Sequence, residues 1–318
     1  IGNDTVYGSL GDDNIGGWTG DNLLDGGEGN DTISAEGGND TLHGNEGNDL
    51  IFGGAGNDLI YGGDGNDIIN AGDGVDTVYG GADADTFVVQ NPMGTNTIYG
   101  GEAGNDNDTI DLLNHTGSVW TVYSGDEAGI ISGVGSGETT FSQIEVLELT
   151  QGDDFADASM TTTGVTIDGN AGSDTITGGT GADLLTGGEG DDRLTVIDNF
   201  GADTLVGGET GETTGDVLDA LQMFDDAVLD LSAGVNNEDG TLTSNGQTLT
   251  FSQIEQVQLG AGNDSVIGSA GNDNVTTGEG NDTVNGGAGD DRFDLGAAGG
   301  DIDTVVLAAQ RCRTGHTG

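Results

Sequence analysis

Sixteen aspartates recur at a spacing that suits metal binding better than catalysis. In the first 88 residues they stand at Asp4, Asp13, Asp31, Asp40, Asp49, Asp58, Asp67, Asp76 and Asp85, nine residues apart except where Asn22 interrupts. A second group holds Asp174, Asp183 and Asp192, and a third Asp264, Asp273, Asp282 and Asp291. Each lies in or just after a glycine-rich run, as in GGEGNDTIS, GGAGNDLIY and GGDGNDIIN. A carboxylate among glycine carbonyls presents oxygen ligands only, the hard donor set that suits Ca²⁺. Glycosidase-type chemistry needs one placed carboxylate pair, whereas regular spacing accounts for most of these acids as ligands. No serine lies in G-x-S-x-G and no histidine in H-E-x-x-H. His115, near Asp111, is a candidate base, but the second half of the chain has no copy of it. The residues therefore point to no catalytic site.

The elements that must position these acids follow from residues 26–88 read in nines. Glycine dominates positions 1, 2 and 4, aspartate holds position 6, and position 8 is apolar: Ile33, Leu42, Ile51, Ile60, Ile69, Val78 and Phe87. The same register reaches back through Ile15 and Leu24. Glycines favour a tight turn, and the last three residues of each unit are β-formers. Each unit is thus a turn plus a short strand, and two units close a coil of 18 residues. Equivalent strands then stack at about 4.8 Å, with position 8 inward. Consecutive turns face opposite edges. One edge carries Asp13, Asp31, Asp49, Asp67 and Asp85; the other carries Asp4, Asn22, Asp40, Asp58 and Asp76. Asn22 lacks the carboxylate charge, and Asp85 is expected to end its edge with a partner only at Asp67. About nine intact aspartate pairs are expected at the 18-residue spacing, six of them in the first block. One apolar side chain in nine residues is a thin core against the entropy of ordering so much glycine, so bound metal must supply the rest.

These units resemble the RTX, or haemolysin-type, calcium-binding nonapeptide G-G-x-G-x-D-x-U-x. The resemblance implies an all-β fold, a right-handed parallel β-roll or β-solenoid with Ca²⁺ in the turns. Each ion would be held by aspartate carboxylates and backbone carbonyls of neighbouring coils. It also implies a chain that leaves a bacterial cell unfolded through a type I secretion channel and folds outside.

Composition agrees. The 318 residues include 65 Gly, one Pro, one Cys and a net charge of −53. Low hydrophobicity with high charge is a disorder signature, expected to hold only without metal. So acidic a chain excludes nucleic acid as a partner and unaided adhesion to an anionic membrane. No apolar run reaches the roughly 20 residues of a transmembrane helix. The single Cys312 gives no disulfide framework. The chain opens on Ile1, inside a unit, and reads as a fragment of a longer protein.

The organisation is a tandem array. Repeats occupy 1–88, 150–192 (degenerate at its start) and 259–295, with β-rich inserts at 89–149 and 193–258 and a truncated third insert with a disordered tail at 296–318. The inserts copy each other: Phe141-Ser142-Gln143-Ile144-Glu145 returns as Phe251-Ser252-Gln253-Ile254-Glu255, in a superunit of 107–110 residues. They are expected to continue the solenoid as wider coils. Trp120, Tyr123 and Phe141 are expected as core or capping aromatics, with a carbohydrate platform as the alternative. Asp106, Asp108 and Asp111, echoed by Asp216 and Asp219, form a second acidic cluster that could hold a further ion. Cys312 and His316 supply too few ligands for a metal site.

The expected function is a non-catalytic, calcium-dependent repeat array of a secreted bacterial protein, extracellular or surface-associated, with a structural, adhesive or surface-layer role. A cell-surface or carbohydrate ligand would bind through the inserts. The alternative is the repeat tail of a secreted protease, lipase or polysaccharide-modifying enzyme whose catalytic domain lies outside this chain.

Overall fold

The computed structural model describes residues 2–90, 94–101, 107–115, 117–133, 137–208, 210–232, 234, 238–296 and 301–306. Among the described residues there are 32 strands, no helix, and therefore no helix to cross a membrane. The strands form two sheets of 16, and successive repeat strands alternate between them. This is a parallel β-solenoid.

The 18-residue coil is visible in the register. Val6, Leu24, Leu42, Ile60 and Val78 stand beside one another in one sheet. Ile15, Ile33, Ile51, Ile69 and Phe87 do so in the other. From Ile15 onward these position-8 residues are buried, and Val6, at the end of the stack, is half-buried. The seam runs on through the inserts: Phe87 stands beside Ile110, Ile110 beside Leu147, and Leu147 beside Ile167. The inserts are coils of the same stack.

Each insert adds an antiparallel meander to one sheet. In the first, Val119–Gly125, Ala128–Gly133 and Glu138–Ser142 lie side by side. In the second, Ala227–Asp230, Gly240–Ser244 and Gln247–Ser252 do so, in the opposite sheet. Asn245 (φ 53°) and Gly246 (φ 78°) make the last hairpin, since two positive φ values match the twist of paired strands. The inserts land on opposite sheets because the superunit holds an odd number of strands. The strand at Thr86–Val88 and its copy at Arg193–Ile197 are eleven strands apart.

Outside the roll, His43, Tyr61, Tyr79 and Tyr99 stack face to face at 4.9, 5.0 and 4.8 Å. His43 thus points outward, as its place at position 9 suggests. Tyr123 and Phe141 are core residues in edge contact. Trp120 is not: it is 64% exposed. Val119, Thr121 and Tyr123 take the inward positions of their strand, so the alternation puts Trp120 outside, with its ring at the edge of Phe155.

Candidate metal centres along the two edges

The two oxygens of a position-6 aspartate have different tasks. One accepts a hydrogen bond from the backbone of the acid one coil back. Asp31, Asp40, Asp49, Asp58 and Asp67 donate their N–H to Oδ1 of Asp49, Asp58, Asp67, Asp76 and Asp85, at 2.7–2.9 Å. Position 5 stitches the coils in the opposite sense: Asn48 and Asn66 donate their N–H to Oδ1 of Asn30 and Asn48. This fixes each aspartate and leaves its second oxygen turned into the bend. Oδ2 of Asp13, Asp31, Asp40, Asp49, Asp58, Asp67, Asp76, Asp174, Asp192, Asp203, Asp216, Asp264 and Asp282 is buried without a hydrogen bond. A buried anionic oxygen without a partner is costly.

What faces these oxygens is another oxygen. A Cβ on Gly44 would lie 2.2 Å from Asp49 Oδ2 and 2.5 Å from the Gly62 carbonyl oxygen. A Cβ on Gly62 would lie 2.3 Å from Asp67 Oδ2 and 2.6 Å from the Gly80 carbonyl oxygen. At Gly44 and Gly62 carboxylate and carbonyl from adjacent coils thus close on the point that a side chain would fill, while the same position on the other edge admits alanine at Ala35 and Ala71. Position 2 carries positive φ, as at Gly63 (131°) and Gly81 (133°). An enclosed, all-oxygen, anionic donor set fits Ca²⁺. Without a cation the charge is held off: burial pushes Asp58 and Asp67 up to about 7 and Asp174 up to about 8, against backbone hydrogen bonds that lower them.

The remaining sequence-predicted acids divide. Asp4 is exposed at the end of the stack. Asp291 is half-buried, with Oδ1 accepting the Asp273 N–H. Asp183 and Asp273 sit in closed turns: Asp183 Oδ2 accepts the Gly179 N–H, and Asp273 accepts the Ser269 N–H and hydroxyl. Neither Gly179 nor Ser269 has positive φ. Asp154 is closed in the same way by Thr150. Asn22 breaks its edge more fully than a missing charge would. Its Oδ1 accepts the Asp4 N–H, and its Nδ2 fills the bend, donating to Gly20 O (2.8 Å) and Asp40 Oδ1 (2.9 Å).

Asp85 does not end its edge. Its N–H donates to Oδ1 of Asp108, 23 residues on. Asp183 likewise reaches Asp203 after 20 residues, and Asp192 reaches Asp216 after 24. A strict nine-residue count misses these members because the insert turns are longer. Their signal was a second acid just ahead of the next apolar β-triplet. Asp108 and Asp216 thus belong to the edge ladders, while Asp111 and Asp219 lie within strands. Asp219 is paired with Arg193. Asp106, Cys312 and His316 lie outside the described residues.

Comparison with known proteins agrees with this geometry. The family model of the RTX calcium-binding nonapeptide repeat matches residues 1–24, 25–60, 52–87, 166–194 and 258–293. No curated protein sequence matches. Among solved structures, the extracellular lipase LipA from Serratia marcescens is similar at 21% identity, with a TM-score of 0.21. That match covers 71% of this chain and 38% of the lipase chain, so the chain spans well under half of that protein. The matched segments carry the turns described above, open and closed alike, and over those segments the chain is built of RTX calcium-binding nonapeptide repeats.

Proposed function

We propose that this chain is the calcium-dependent folding array of a secreted protein, with a structural, adhesive or surface-layer role outside the cell. The carrying observation is the row of buried Oδ2 atoms without hydrogen bonds along both edges. Asp40, Asp49, Asp58, Asp67 and Asp76, with Asp174, Asp192, Asp264 and Asp282, would hold Ca²⁺ together with glycine carbonyls of the adjoining coil. Asp85, Asp203 and Asp216 extend the rows. Where calcium is scarce, facing oxygens and a net charge of −53 keep the coils apart. At the roughly 10⁻⁴–10⁻³ M Ca²⁺ that weak extracellular modules need, binding free energy becomes folding free energy. A non-catalytic role is supported by the use of most buried acids in the two rows, and by His115, which is enclosed with Nδ1 at 3.3 Å from the Gly117 carbonyl.

Circular dichroism of the full chain tests this reading. A coil spectrum in chelator should convert to β-structure in millimolar Ca²⁺ and not in equal Mg²⁺, which demands stricter geometry and dehydrates reluctantly. A β spectrum that chelation leaves unchanged refutes it.

A further inference from the structure

Between the matched segments ending at 194 and resuming at 258 stands a site of different construction. Asp216 is wholly buried. Its Oδ1 accepts the Asp192 N–H at 2.7 Å, and its Oδ2 has no hydrogen bond. Its own N–H donates to Glu255 Oε2 at 2.5 Å. Carboxylate oxygens of Glu212, Asp216 and Glu255 lie within 4.8 Å of one another. A Cβ on Gly207 would meet Asp216 Oδ2 at 2.2 Å and the Gln253 carbonyl oxygen at 1.9 Å. That is the pair of contacts that Gly44 makes with Asp49 Oδ2 and the Gly62 carbonyl.

The first insert repeats the arrangement. Asp108 donates its N–H to Glu145 Oε2 at 2.7 Å. A Cβ on Gly100 would lie 1.8 Å from the Gln143 carbonyl oxygen and 2.2 Å from Asp108 Oδ2. Gln143 and Gln253 both take left-handed backbone, φ 61° and 59°. That conformation costs a non-glycine residue energy, yet both copies adopt it, and in both the glutamine carbonyl closes on the glycine and the aspartate.

We propose that Phe-Ser-Gln-Ile-Glu is a compressed calcium half-site, and that Glu212, Asp216, Glu255 and the Gln253 carbonyl hold a Ca²⁺ ion where the second insert rejoins the roll. In an ordinary turn the ligating carbonyl and carboxylate are five residues apart, as in Gly62 and Asp67. Here they are two apart, and the extra methylene of glutamate spans what the missing residues would. Three carboxylates and a carbonyl are a hard-oxygen set that selects Ca²⁺ over softer ions. Asp108, Glu145 and the Gln143 carbonyl form the corresponding site of the first insert. The proposal rests on calcium ligation by the nonapeptide turns, since it extends the same rows.

Two measurements on the full chain test it. Equilibrium dialysis with radioactive calcium should count one ion fewer in Glu255→Gln and two fewer in Glu145→Gln/Glu255→Gln. Glutamine keeps an oxygen for the Asp216 N–H, so both variants should still form β-structure at 10 mM Ca²⁺. Glu46→Gln, at an exposed acid outside the rows, should leave the count unchanged. A wild-type count and midpoint in Glu255→Gln overturns the proposal. The second measurement needs no variant: anomalous scattering from calcium-grown crystals should place a peak between Asp216 and Glu255. Peaks in the nonapeptide turns with none at Asp216 overturn the compressed half-site alone; no peaks in either place overturn the calcium reading of the whole chain.

Discussion

Asn22→Asp should make the protein less stable in scarce calcium and equally stable in abundant calcium, with a steeper dependence between. Asn22 is 3% exposed, and its amide donates to Gly20 O and Asp40 Oδ1. Aspartate turns an oxygen toward both acceptors. Two hydrogen bonds are lost, at about 0.5–1.5 kcal/mol each, and a second anion is set beside Asp40. Together these cost about 2–4 kcal/mol before metal binds. The same change creates one more open carboxylate between Asp4 and Asp40. With a dissociation constant on the order of 10⁻⁴ M, the added ion returns about 0.4 kcal/mol at 0.1 mM Ca²⁺ and about 2.7 kcal/mol at 10 mM. Urea melts of both proteins across that range give stability against the logarithm of calcium concentration. The variant's line should be steeper by one ion per chain and meet the wild-type line near 10 mM. Parallel lines, or a variant more stable at 0.1 mM, would refute the view that the Asn22 amide stands in for a metal.

Other outcomes follow from the same geometry. Asp183→Ala should lower stability without changing the number of bound ions, because Val165 and Gly179 occupy both carboxylate oxygens; Asp49→Ala should lower both, as dialysis and melts on the two variants will show. Asp58→Ala and Asp85→Ala should shift the calcium midpoint of folding alike, since the Asp85 row continues to Asp108; a much smaller shift for Asp85→Ala would mean that the row stops there. In chelator, acid should favour the fold. Burial raises Asp58, Asp67 and Asp174 from the ordinary 3.8 to about 7, 7 and 8, so the folded chain holds more protons than the unfolded one. The resulting stability is complete below about pH 4 and is lost as pH rises through 7–8. Circular dichroism in chelator should show β-structure gained on acidification from pH 8 to 5, while with calcium present the folding midpoint moves to higher Ca²⁺ as protons compete.

The roll itself was legible because one residue in nine, from Ile15 to Phe87, must be apolar and inward, and nothing else in the unit competes for that place. The edges were legible for the same reason, as 18 residues return an aspartate to its own side. The open or closed state of a turn was not. Thr177-Gly178-Gly179-Thr180-Gly181-Ala182-Asp183 reads like any repeat, yet Asp183 stacks on Val165 and Asp154 on Val119. Neither neighbour brings a carboxylate to share an ion, and each of these aspartates is satisfied by its own turn instead. That choice depends on a residue in another coil: Val165 stands 18 residues before Asp183, and Val119 stands 35 before Asp154 across the meander. Trp120 misled for a local reason: with Val119 and Tyr123 apolar in one phase of the strand and Trp120 and Val122 in the other, either phase could have been inward.

The placement of the two meanders on opposite sheets bears on the straightness of the rod. A meander inserts two extra strands into one wall, so that wall outruns the other by roughly 10 Å at about 4.8 Å per strand. A second meander in the same wall would double the mismatch and turn the column into an arc. Eleven strands per superunit, an odd number, send each new meander to the wall that is behind, and the walls draw level at 16 strands each. Parity thus acts as a steering rule: superunits cancel in pairs. Removing a whole superunit from between two others would leave the alternation intact, whereas removing a single nine-residue repeat from a superunit would make its strand count even, send consecutive meanders to the same wall and bend the axis.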